Sequence, residues 1–182
     1  GEIIDSYDIV IKINRFQDLL TKDCGKRMDI LFSTFYLFTP HSSIKNYNTK
    51  LIVGGHCFNG FPHNKRYFKK SKSVNSTINH EHYPNEELSS EIQNFKKRGR
   101  RKTTGFHVIT LLLDNIDIIQ ELNIFGIDFC FRRYNLKYNR KNITPTHNMS
   151  SELSLFKELF QKYKDNKKLI IHDKEFLNYL NK

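Results

Sequence analysis

Thr103-Thr104-Gly105-Phe106-His107-Val108-Ile109-Thr110-Leu111-Leu112-Leu113 opens a stretch that continues to Asn123-Ile124-Phe125-Gly126-Ile127. Two hydroxyl residues and a glycine ahead of a long apolar run have the character of a helix N-cap, so a helix is predicted over 106–122. A strand is predicted over 123–129, which completes a helix-then-strand unit typical of α/β folds. Towards the N-terminus, Ile9, Val10, Ile11, Lys12 and Ile13 form a β-branched run with one charge near its end, as in a buried strand whose end reaches a site. Asn14 and Arg15 stand at its carboxyl edge, and the residues from Gly1 onward read as the approach to it. Further strands are predicted over 28–36 and 50–53, the second closed by Gly54 and Gly55. Towards the C-terminus, Ser150 or Ser151 is expected to cap a long helix with Glu152 in its first turn. Leu155, Phe156, Leu159, Phe160 and Tyr163 give that helix an apolar face. Strand 168–171 and helix 175–180 close the chain, while 61–102 is polar and reads as loop with one helix around 86–95.

Composition bounds these elements without choosing a function. A chain of 182 residues that is 38% apolar has material for one ordinary core, so a single domain over 1–182 is expected. The net charge of +11 selects anionic partners, but nucleic acid, membrane headgroups, nucleotide phosphates and acidic glycans all answer to that. No run approaches the eighteen or so apolar residues of a membrane span, and no signal peptide is recognisable. Cys24, Cys57 and Cys130 are odd in number with no CxxC spacing, which suits a reducing compartment or a fold that does not depend on disulfides, and a cytoplasmic location is expected.

Three segments, in order, carry a more specific signal. The first is Gly1-Glu2-Ile3-Ile4-Asp5-Ser6-Tyr7-Asp8 leading into Ile9–Asn14, continued by Asp23, Gly25, Lys26 and Asp29. The second is Thr103-Thr104-Gly105 opening the helix that leads to Phe125-Gly126; the third is His147 followed five positions later by Glu152. Together they resemble the large, small and very small motifs of the sialyltransferases of glycosyltransferase family 29. Lys12 stands where the family has Arg, which keeps the charge and loses the planar fork. Lys102-Thr103 replaces the usual Pro-Ser. The family's Gly-Asn-Ser turn would fall before Gly1, so the resemblance implies a catalytic domain truncated at its N-terminus and lacking its first strand. Tyr134 and Tyr138 stand where an aromatic third motif would fall, with no His, and the paired motif cysteines of animal enzymes are absent from 106–129.

The resemblance implies a Rossmann-like α/β fold, a mostly parallel sheet flanked by helices in the GT-A-like variant of sialyltransferases. It implies transfer, with inversion, of sialic acid or a related keto-sugar acid from a CMP-sugar donor to a hydroxyl of a glycan or glycolipid acceptor. His147 would be the general base, since an imidazole titrating near 6.5 can take a proton from a sugar hydroxyl at neutral pH. Asn14, Thr103, Thr104 and Gly105 would bind the nucleotide, with helix-end amides stabilising its phosphate. Glu152 would be a supporting residue. No cofactor or metal is implied, because the family is metal independent and the chain has no Asp-x-Asp.

Each piece has a plainer reading: turn residue for Asn14, simple capping for Thr103-Thr104-Gly105, surface detail for His147. Other features carry less. Lys96, Lys97, Arg98, Arg100, Arg101 and Lys102 could grip nucleic acid, which defines the alternative of a non-catalytic basic module binding nucleic acid or another anionic polymer. A solvated loop near an anionic donor accounts for them equally. His56, Cys57, His80 and His82 lack zinc spacing, and the acceptor sequons at Asn75, Asn142 and Asn148 matter only in a secreted chain.

Overall fold

The apolar runs at 9–13, 28–36 and 50–53 each supply a short strand, and the three pair side by side. The structure is a computed structural model that describes residues 1–13, 24–33, 44, 47–54, 77–82, 103–127 and 149–182. It divides into two compact units, residues 1–94 and 95–182. Both are mixed α/β, and both contain a small parallel sheet.

In the first unit, helix α1 (Glu2–Asp5) precedes strands β1 (Ile11–Ile13), β2 (Ile30–Ser33), β3 (Leu51–Gly54) and β4 (Asn79–His82). The strands lie in the order β1-β2-β3-β4, all parallel, with Ile11 opposite Ile30, Ile30 opposite Leu51 and Leu51 opposite Asn79. Met28, Leu31, Ile44 and Ile52 form the buried core, with Tyr47 and Ile78 packed against it. The approach to β1 from Gly1 includes one helical turn, and the polar stretch 61–102, read from sequence as loop with one helix, contains the strand β4.

Charged groups fasten the entry to this sheet. The Asp5 carboxylate accepts the amides of Lys26 and Arg27, both at 2.8 Å. Asp29 accepts the Val10 amide at 2.9 Å and the Arg27 guanidinium at 2.8 Å. Gly25 sits between them at φ +72°, where a Cβ would come within 2.9 Å of the Asp5 carboxyl carbon, so glycine is required both by conformation and by space.

In the second unit, helix α2 (Thr104–Asp114) leads through a 3-10 turn (Ile116–Ile118) to strand β5 (Leu122–Ile124). Helix α3 (Met149–Tyr163), strand β6 (Leu169–Ile171) and helix α4 (Lys174–Leu180) follow. β5 and β6 are parallel, Leu122 opposite Leu169 and Ile124 opposite Ile171. Phe106, Ile109, Leu113 and Ile116 recur at helical spacing and are buried with Phe156, Leu159, Phe160, Phe176 and Leu180 in one core. At about 1.5–3 kcal/mol for each large side chain taken from water, this core outweighs any single polar contact in the unit.

α2 is shorter than the predicted 106–122. It stops at Asp114 because Asn115 caps it, its side-chain amide donating to the Leu111 carbonyl at 2.9 Å. The Lys168 ammonium then holds the carbonyls of Ile116 and Asp117 at 3.2 and 2.8 Å, satisfying acceptors that a continued helix would have used. α3 begins at Met149, so Ser150 and Ser151 lie inside its first turn and are not its cap. The predicted helix around 86–95 lies outside the described residues.

Candidate functional site

A helix that starts in a buried place must find partners for its first amide groups. α2 does so with Thr103, whose hydroxyl accepts the Phe106 amide at 3.2 Å. A capping box would add a Glu at the third helical position, reaching back to the cap's own amide. That position is Phe106, and Glu152 from the first turn of α3 supplies the carboxylate instead. Its two oxygens accept the Thr103 amide at 2.6 Å and the Thr103 hydroxyl at 2.7 Å. Glu152 is fully buried. A carboxylate removed from water needs charge-assisted donors, and these two, beside the positive end of α2, supply them.

The sequence-predicted site residues fall differently around this joint. Thr103 is committed to Glu152 through both of its donors. Thr104 is buried, 4% exposed. Gly105 is half-buried, and among the described residues its amide has no partner. Among the described residues a Cβ there would meet nothing nearer than the Thr103 hydroxyl at 3.9 Å. Asn14 and His147 lie outside the described residues, as do the cluster 96–102, Tyr134, Tyr138, His56 and Cys57.

The residues of the first motif serve a different end of their unit. Asp5, Gly25 and Asp29 act ahead of β1 and β2, at the amino edge of the sheet, whereas open parallel sheets bind ligands beyond the carboxyl ends. Lys12 donates to the Gly25 carbonyl at 2.8 Å and stands 5.4 Å from the centre of the Tyr47 ring. Burial pulls the Lys12 ammonium below the ordinary lysine range, opposed in part by Cys24 and Asp5. For Asp5, burial would raise the carboxyl. The Lys26 and Arg27 amides and the charges of Lys12 and Arg27 outweigh it and hold the group below the usual carboxylate value.

Of the three cysteines only Cys24 is described, as a free half-buried thiol. No cluster of His, Cys, Asp and Glu able to hold a metal occurs among the described residues, and no helix among them is long and apolar enough to cross a membrane.

Sequence reading also passed over a residue at the carboxyl end of β6. His172 follows β6 directly, and its ring nitrogen Nε2 lies 2.7 Å from the side-chain oxygen of Asn123 in β5. Its position just after the short apolar strand Leu169-Ile170-Ile171 was the available signal. No protein-family model, curated protein or solved structure matches the chain.

Proposed function

We propose that the chain is a metal-independent glycosyltransferase of the sialyltransferase type, working in the cytoplasm on a Rossmann-like sheet. It moves sialic acid or a related keto-sugar acid from a CMP carrier to a hydroxyl of a glycan or glycolipid. One observation carries this reading. The buried carboxylate of Glu152 grips the amide and hydroxyl of Thr103, tying the second motif to the third. His147 precedes the first residue of α3 by two positions in sequence, and α3 is the helix that delivers Glu152 to the start of α2.

In this mechanism His147 takes the proton of the acceptor hydroxyl as its oxygen attacks the anomeric carbon from the face opposite the departing CMP. One C–O bond forms while the bond to the phosphate oxygen breaks, and inversion follows. Asn14 holds the nucleotide. Because Thr103 is occupied by Glu152, the phosphate is met by the Gly105 amide and the α2 dipole, and Thr103 fixes where that helix end lies.

The test is calorimetric titration with CMP against AMP and UMP, followed by transfer assays with the CMP-sugar. CMP is expected to bind saturably and more tightly than the other two. His147→Ala should lower turnover by roughly a hundredfold or more at nearly unchanged CMP affinity, the usual share of a general base. Equal binding of the three nucleotides would remove the donor assignment, and an undiminished rate would remove His147 from the mechanism.

A further inference from the structure

At the carboxyl end of β6 one exposed imidazole, His172, is fixed by side chains that run back along β5, through Asn123 inside that strand to Glu121 just ahead of it. Glu121 is a carboxylate and can only accept, and it takes a hydrogen bond from the Asn123 amide nitrogen at 2.5 Å. That contact turns the Asn123 oxygen the other way, towards His172 Nε2 at 2.7 Å. An amide oxygen also only accepts, so Nε2 must carry the hydrogen. In the neutral ring the lone pair is therefore on Nδ1, which has no partner among the described residues.

The ring's plane is fixed as well. Phe125 stacks on it with centroids 3.9 Å apart and planes 12° from parallel. One face is thus covered, one edge is used, and the Nδ1 edge and outer face remain for solvent, since His172 is exposed. Beside Phe125 the chain turns at Gly126, φ +64°, where no described atom lies within 4 Å of the place a Cβ would take. An aromatic face with an adjoining acceptor suits a ligand that has an apolar C–H face and a hydroxyl at its rim, which describes a pyranose ring. The location agrees with the rule that parallel sheets bind ligands beyond their carboxyl ends.

We propose that His172 is a binding residue for a neutral sugar, its Nδ1 accepting a ring hydroxyl and its outer face receiving the sugar's C–H face. It rests on the transferase reading only for the class of ligand, since an acceptor glycan would be such a sugar. Asn123 is its positioning residue, fixing the tautomer, and no proton is transferred. Among the described residues His172 makes no ion pair, and Asn123 bridges it to the Glu121 carboxylate.

The experiment is a nitrogen-detected titration of the His172 ring in the full chain at mildly alkaline pH, where an imidazole is ordinarily neutral. The probes are a panel of methyl hexopyranosides and, in a parallel sample, CMP. The free protein should show hydrogen on Nε2, and at least one sugar should shift Nδ1 saturably. His172→Phe, which keeps an aromatic ring on Phe125, should weaken that sugar about tenfold in saturation-transfer spectra, the worth of roughly one hydrogen bond. Asn123→Ala should weaken it as well and let Nδ1 carry hydrogen in part of the population. Hydrogen on Nδ1 in the free protein, no saturable shift with any sugar, or unchanged binding by His172→Phe would each overturn the proposal. A sugar response without CMP binding would leave the sugar site standing and remove the donor assignment. CMP binding without a sugar response would do the reverse.

Discussion

Glu152 is fully buried, and both of its carboxyl oxygens accept from Thr103. Truncating it to Ala leaves the Thr103 amide without an acceptor and opens a void. The expected loss is about 3 kcal/mol, combining an orphaned donor with a small cavity. Glu152→Gln keeps the shape: its oxygen can take the Thr103 amide, and the hydroxyl can turn to accept from its nitrogen, so a loss of only about 1 kcal/mol is expected. Denaturant unfolding of the two variants checks this, and equal losses would show that shape, not hydrogen bonding, is what Glu152 supplies. Asp5 offers a second residue-level check, this time by pH. Its folded value lies below the unfolded reference of about 3.9, so its contribution is present above that value and disappears as pH falls through the lower, folded one. Asp5→Asn should lower the unfolding midpoint at neutral pH and converge with the parent in acid. A constant gap across that acid window would show that the carboxylate charge plays no part.

Between elements, the same contact appears as a joint between the start of α2 and the first turn of α3. A double-mutant cycle with Thr103→Ala and Glu152→Ala isolates its hydroxyl half, since the Thr103 amide survives the first change. The coupling should be about 1–2 kcal/mol, and additivity within roughly 0.5 kcal/mol would mean that the hydroxyl and the carboxylate do not act together. How far the elements were legible follows from the same physics. Strands β1, β2 and β3 fall inside runs of β-branched and apolar residues, and the helix faces of α2 and α3 follow helical periodicity, because burial itself writes those patterns. β4 has the sequence Asn79-His80-Glu81-His82, four polar residues with no apolar alternation to mark a strand. The end of α2 was hidden for the opposite reason. Apolar residues continue through Ile116, Ile118 and Ile119, while the stop depends on an Asn115 cap and on Lys168, whose ammonium arrives from 52 positions along the chain. The Glu152–Thr103 joint spans 49 positions, so spacing could name both residues but could not announce their contact.

At the scale of the molecule, the α/β class was readable from alternating strand and helix patterns, and the sheets are indeed parallel. Strand order was not readable. The described four-stranded sheet runs β1-β2-β3-β4 without the reversal that creates a nucleotide crevice in a doubly wound fold, because pairing order is set by crossovers that leave no local mark. Net charge is the remaining molecular property, and salt dependence distinguishes its two uses. If the six cations of 96–102 gripped a single-stranded nucleic acid, each would release about 0.7 counterion, and log affinity would fall against log salt with a slope near −4. CMP presents one phosphate, met in the proposed mechanism by a backbone amide and a helix dipole, so its slope should be no steeper than about −1. Titrations of CMP and of an unrelated single-stranded oligonucleotide over one series of salt concentrations compare the two directly. A shallow CMP slope with negligible oligonucleotide affinity at physiological salt favours the transferase. A steep oligonucleotide slope with no CMP binding assigns the +11 charge to a polyanion and makes the chain a binding module.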